Sequence, residues 1–184
     1  MVKLLMRLSG LIGNLNERIG RSVSWLNTAL VILVCFDVIT RYLFSSTQAW
    51  IMELEWHLFA LIFLLGAGYA FKHDRHVRVD LFYANFSPKE QALVNFIGTL
   101  LFLIPWCVLV IYASYHYARG SYLIGETSPD PGGLPALYLI KFAIPVGIFL
   151  LLLQGLSSLV DAGLLLVGKR DPEQKEPSKP RESL

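Results

Sequence analysis

The chain has 184 residues, 54% of them hydrophobic before its 14 glycines are counted, and only 16% charged. Soluble domains average about 45–50% apolar with glycine included and about 25% charged, and a chain this short leaves too much surface exposed to hide the excess. A mean hydropathy of +0.52 agrees, and a net charge of only +2 excludes a nucleic-acid partner, as the composition excludes a disulfide scaffold or a disordered chain.

Residues 1–21 predict an amphipathic helix lying on a membrane surface. Leu4, Leu8, Leu11, Ile12, Leu15 and Ile19 share one helical face, with Lys3, Arg7, Asn14, Glu17 and Arg18 mostly elsewhere. No small-residue cleavage site follows, so this is not a removable leader. Four spans then fit the roughly 20 residues that a helix needs to cross a bilayer, at about 22–44, 50–71, 89–115 and 138–167. They should be helices, because backbone polar groups in lipid need partners within their own segment. The fold class is therefore an all-α integral membrane protein with a four-helix membrane domain over 22–168.

Local signals refine these elements. Ser87-Pro88-Lys89-Glu90 predicts a capping box opening the third helix. Gly66, Gly68 and Gly98 predict close helix contacts, and Pro105 and Pro145 predict kinks. The tail 169–184 holds three prolines and no aromatic residue, which predicts disorder. Cys35 and Cys107 lie in separate spans and carry no redox message.

Charge placement gives a topology. Thirteen Lys/Arg residues fall in the N-terminal segment, the loop after the second span and the tail; the intervening connections on the other side hold only Arg119. The positive-inside rule then predicts both termini in the cytoplasm. Tyr42, Phe44, Trp50, Trp56, Tyr112, Tyr115 and Tyr117 form an outer aromatic belt against the lipid interface, with Trp25 at the inner one.

Charges within a span each cost about 2.5–3.5 kcal/mol at a helix centre, so each needs a partner. Counting outward from the turn near Thr47 places Arg41 level with Glu53 and Asp37 level with His57. The expectation is a buried polar patch with those two pairings, read either as a proton relay or as charges that fix helix packing or a partner interface. Glu55 points about 200° from Glu53 and is expected in solvent or against a partner, beside Trp56. His57 and His116 both lie toward the outer face and could ligate a haem b. The outer segment from Gly125 to Pro135 packs three prolines and three glycines into 11 residues, which predicts a rigid turn. Glu126, Asp130, Pro131, Gly132 and Gly133 are its expected docking residues. No phosphate-binding loop, nucleophile–base pair or metal-ligand spacing is legible, so neither catalysis nor a bound cofactor is expected.

Taken in order, Asp37-Val-Ile-Thr-Arg41-Tyr-Leu-Phe44, Glu53-Leu-Glu55-Trp56, Leu65-Gly-Ala-Gly-Tyr-Ala-Phe-Lys72, His76-Val-Arg-Val-Asp80 and Ile144-Pro-Val-Gly147 resemble the small membrane subunit of tripartite ATP-independent periplasmic (TRAP) transporters. The likeness covers about Ser24 to Leu159, and Ser128–Pro135 resembles the subgroup labelled for mannitol or chloroaromatic compounds. The resemblance implies a bacterial inner-membrane scaffold that binds a large multi-span subunit and helps dock a periplasmic solute-binding protein. Sodium and substrate, a small organic acid, would sit on the large subunit. His76, Arg78 and Asp80 would order the cytoplasmic loop or touch the partner. Two other readings compete: a haem b anchor of a respiratory complex using His57 and His116, and a small proton-coupled exporter using Asp37.

Overall fold

The structure, a computed structural model, describes residues 2–73, 83 and 85–168. The expected roles of His76, Arg78 and Asp80 and the expected disordered tail lie outside the described residues. Regular structure among those described is entirely helical: α1 (Val2–Phe44), α2 (Ala49–Lys72), α3 (Pro88–Gly98), a π-helical turn (Thr99–Leu103), α4 (Ile104–Leu123) and α5 (Tyr138–Leu166). α3, the π turn and α4 form one rod, so four helical rods are long and apolar enough to cross a membrane. The second and fourth span limits match their sequence-based bounds within a residue or so.

Two boundaries differ. The third rod runs on to Leu123 because small residues, Ser114, Ala118 and Ser121, continue its buried face past the charge-free stretch. It stops in a Schellman cap, in which the Gly125 N–H donates to the Tyr122 carbonyl at 3.1 Å and the Glu126 N–H to the Ser121 carbonyl at 3.1 Å. Gly125 supplies the positive φ, +59°, that this cap requires. The larger difference is at the N-terminus. Residues 2–21 are not a separate helix but the first half of α1, whose 43 residues extend about 65 Å, twice a hydrocarbon core.

Leu4, Leu8, Leu11 and Leu15 point outward, while Ser9, Gly13, Asn16, Gly20 and Val23, spaced four and three residues apart, are buried. Small and polar residues let backbones approach and hydrogen-bond where lipid supplies no hydrophobic drive. Ser9 Oγ lies 2.7 Å from Ser157 Oγ, and Asn16 Nδ2 donates to Gln154 Oε1 at 3.2 Å. Glu17 draws α2 in through Lys72 Nζ at 3.0 Å and His73 Nε2 at 2.8 Å.

α5 is the hub, contacting α1, α2, α3 and α4. Its core of Ile148 and Leu151 closes over Cys107 of α4. Glycines set the spacing: a Cβ on Gly147 would fall 2.6 Å from the Leu64 carbonyl oxygen, and one on Gly68 3.1 Å from that of Leu150. Thus α2 and α5 meet backbone to backbone. Gly68 behaves as expected, whereas a Cβ on Gly66 or Gly98 would meet nothing within 4 Å. Pro145 sits inside α5 without ending it. Near Pro105 the chain adopts the π turn, which relieves the clash of the proline ring with the Leu101 carbonyl. The capping box is present as expected, with Ser87 and Glu90 bonding each other's backbone N–H.

Overpacking a backbone contact of this kind costs about 1–3 kcal/mol. Gly147→Val should therefore lower the thermal midpoint of the detergent-solubilised protein. Gly163→Ala, whose Cβ would meet only the Phe96 ring at 3.5 Å, should leave that midpoint nearly unchanged.

Candidate functional site

The charged residues of the α1–α2 hairpin do not pair as counting from the turn suggests. Arg41 pairs with Asp37 on its own helix, one turn back. The α-helical i, i+4 spacing makes this the nearest available contact. Asp37 is buried, and its other oxygen, Oδ1, has no hydrogen-bond partner. Glu55, expected in solvent or against a partner, has its Oε1 buried with no hydrogen-bond partner. The expected Arg41–Glu53 and Asp37–His57 pairings are thus replaced by within-helix contacts and by a different partner for Glu53.

That partner is the segment between α4 and α5. Glu53 is 7% exposed, and both of its carboxylate oxygens are satisfied from far along the chain. Ser128 Oγ donates to Oε1, and the Leu134 backbone N–H donates to Oε2 at 2.5 Å. A Cβ on Gly133 would fall 2.7 Å from Oε1, so glycine is what lets the loop backbone approach the carboxylate. His57, one turn on, places Nδ1 2.5 Å from the Glu53 carbonyl oxygen and stacks its ring on Trp56 at 3.8 Å.

The loop itself is folded. The Ser128 N–H donates to the Leu134 carbonyl at 3.2 Å, and the Gly133 N–H to the Asp130 carbonyl at 3.0 Å. Pro131 and Gly132, with φ +77° at Gly132, suit the two central positions of a type II turn. Ser128 Oγ also accepts the Asp130 N–H at 3.1 Å. Asp130, Pro131 and Gly132 stand exposed at the tip.

Glu126 braces both ends of the loop. Its N–H caps α4, its carbonyl accepts the Leu137 N–H at 3.0 Å, and its carboxylate pairs with Lys141 Nζ at 2.5 Å. Lys141 Nζ also lies 4.3 Å from the Tyr117 ring centroid, a cation–π contact. The five expected docking residues therefore share one structured loop. Sequence reading missed its anchors, Ser128, Leu134 and Lys141. A lone acid and a lone base flanking the same loop, Glu126 and Lys141, were the available signal.

This arrangement can present a rigid surface, and nothing in it suggests bond-making chemistry. His116 directs Nδ1 to the Tyr112 carbonyl at 2.9 Å on an exposed face. An apolar groove of about 480 Å³ beside α2 is lined by Trp56, Phe59, Ala60, Phe63, Tyr117 and Ile144 among others, and by neither His57 nor His116. Among the described residues no three His, Cys, Asp or Glu side chains are grouped to hold a metal ion.

The Lys141 ammonium beside Glu126 holds its carboxyl below the ordinary value of 4.5. A depressed carboxylate stabilises the fold fully above its unfolded pKa, about 4.3, and loses that contribution as pH falls through the lower folded value. A carbon-13 NMR titration should place the Glu126 midpoint below 4.5 and return it towards 4.5 in Lys141→Met.

Comparison with known proteins fits this geometry. Residues 30–163 match the family model for the DctQ component of tripartite ATP-independent periplasmic transporters. A Haemophilus influenzae protein carrying the name TRAP transporter small permease protein is 36% identical over 84 residues, 46% of this chain and 52% of that protein. The C4-dicarboxylate TRAP transporter small permease protein DctQ of Vibrio cholerae is 27% identical over 89 residues, 48% of this chain and 38% of that protein. The chain thus spans about half the length, or less, of the curated relatives it matches. With four membrane-length helical rods and a family match over most of its length, the chain belongs to the DctQ family of TRAP transporter small permease subunits, multi-pass proteins of the inner membrane.

Proposed function

We propose that this chain is a non-catalytic scaffold in a sodium-coupled secondary importer of small organic acids. It supports a large elevator-type subunit that holds the sodium and substrate sites. Both termini lie in the cytoplasm, and the loop from Gly125 to Leu137 faces the periplasm, where it helps dock the solute-binding protein. The family description and the C4-dicarboxylate name of the Vibrio cholerae relative support the three-part system and the class of cargo. The one-sided distribution of Lys and Arg supports the orientation.

The observation that carries the reading is the double hydrogen bond from the loop to Glu53. A docking loop fixed before its partner arrives loses little conformational freedom on binding, which is how preorganisation raises affinity. The scaffold role follows from mechanics. A moving domain can push only against something that resists tilting, and the long α1 with aromatic residues at the helix ends supplies that resistance.

In the complete reconstituted system, Glu53→Ala should leave the subunits assembled. It should raise the binding-protein concentration needed for half-maximal uptake about tenfold, the equivalent of about 1.4 kcal/mol of lost preorganisation. Unchanged uptake would refute the docking role. This chain reconstituted alone should move no organic acid, and uptake by it alone would refute the scaffold role.

A further inference from the structure

The first half of α1 presents three faces, each within a sector about 60° wide at 3.6 residues per turn. The buried face, Ser9, Gly13, Asn16 and Gly20, is turned to α2 and α5. Two exposed stripes run side by side on the far side of the helix. Leu4, Leu8, Leu11 and Leu15, between 44% and 65% exposed, form one. Lys3, Arg7, Asn14, Arg18 and Arg21, all exposed, form the other, about 80° round the helix and about 27 Å long.

The acids that face this half are engaged inside the bundle. Glu17 serves three cations, Arg21, Lys72 and His73, and Asp161 of α5 accepts from Ser9 Oγ at 3.2 Å. Among the described residues no acid pairs with Lys3, Arg7 or Arg18. The cationic stripe therefore carries positive charge that the bundle does not compensate. The leucine stripe beside it needs a surface other than water.

An anionic bilayer boundary meets both needs at this spacing. Acyl chains cover the leucines, and headgroup phosphates lie within reach of long side chains that extend outward from them. An acidic soluble segment would answer the cations and leave the leucines in water. Neutral headgroups would cover the leucines and supply no net counter-charge. The helix is long enough to reach this boundary, since its 43 residues exceed one hydrocarbon core. Trp25, 77% exposed, lies one turn beyond Arg21 in the same sector, and indole rings favour the headgroup level.

We propose that this double stripe is a binding surface for anionic phospholipid, with the four leucines in the acyl layer and Lys3, Arg7 and Arg18 on the headgroup phosphates. Arg21 completes the stripe beside Glu17. The assignment stands apart from the transport reading above, because it uses only the faces of α1.

Trp25 supplies the reporter. The full chain carrying Trp50→Phe, Trp56→Phe and Trp106→Phe would be placed in nanodiscs of phosphatidylcholine with a minor fraction of brominated lipid. Quenching of Trp25 should show brominated phosphatidylglycerol enriched about fivefold over brominated phosphatidylcholine at the same mole fraction. The enrichment should weaken in high salt and disappear in Lys3→Gln/Arg7→Gln/Arg18→Gln. Arg7→Lys/Arg18→Lys should retain it, which separates loss of charge from loss of fold. Equal quenching by the two lipids, or a preference that survives the glutamine substitutions, would overturn the proposal. Loss of quenching by both lipids once the large subunit is bound would assign the surface to a protein segment instead, and would overturn it equally.

Discussion

A buried carboxylate near the start of a membrane-length helix is costly to leave unpaired, and it is held most firmly when donors reach both of its oxygens. For Glu53 those donors come from 75 and 81 residues downstream. The requirement works in both directions. Glu53 needs the loop to satisfy its charge, and the loop needs Glu53 to bring Ser128 and the Leu134 amide to one point. Gly133 is bound into the same constraint, since any side chain there would separate the two. The ends of α2, α4 and α5 are consequently fixed relative to one another by hydrogen bonds rather than by apolar packing, which in lipid discriminates poorly between arrangements.

The same principle operates at the other end of the bundle with different residues. Ser9, Asn16 and Glu17 of α1 reach Ser157 and Gln154 of α5 and Lys72 and His73 of α2. Between these two polar ends lie the close backbone contacts at Gly68 and Gly147. Polar contacts thus set the register, and glycines set the distance. Such a body resists shear between its helices, the property a stationary frame requires.

Much of this was legible in the residues, for identifiable reasons. Continuous apolar runs bounded by charge gave the spans, and the reciprocal Ser87–Glu90 chemistry gave the third helix its start. The continuity of residues 2–21 with the first span was not legible, because a charged stretch that reads as a boundary need not interrupt the backbone helix. The hairpin pairings failed because counting from a turn gives depth and not azimuth. Arg41 found Asp37 one turn away, and Glu53 turned towards a loop whose position no local pattern encodes. Gly66 was expected to mediate contact and makes none within this chain, because the spacing of small residues does not say which of them a neighbouring helix approaches.

If the clamped loop and the helices beneath it move as one body, a spin label at Asp130 and another at Gln48 should report that directly during transport. Double electron–electron resonance on the assembled system should return one narrow distance, the same in sodium-loaded, substrate-loaded and empty states. Two populations whose weights shift between those states would contradict a rigid scaffold and assign the motion to this subunit.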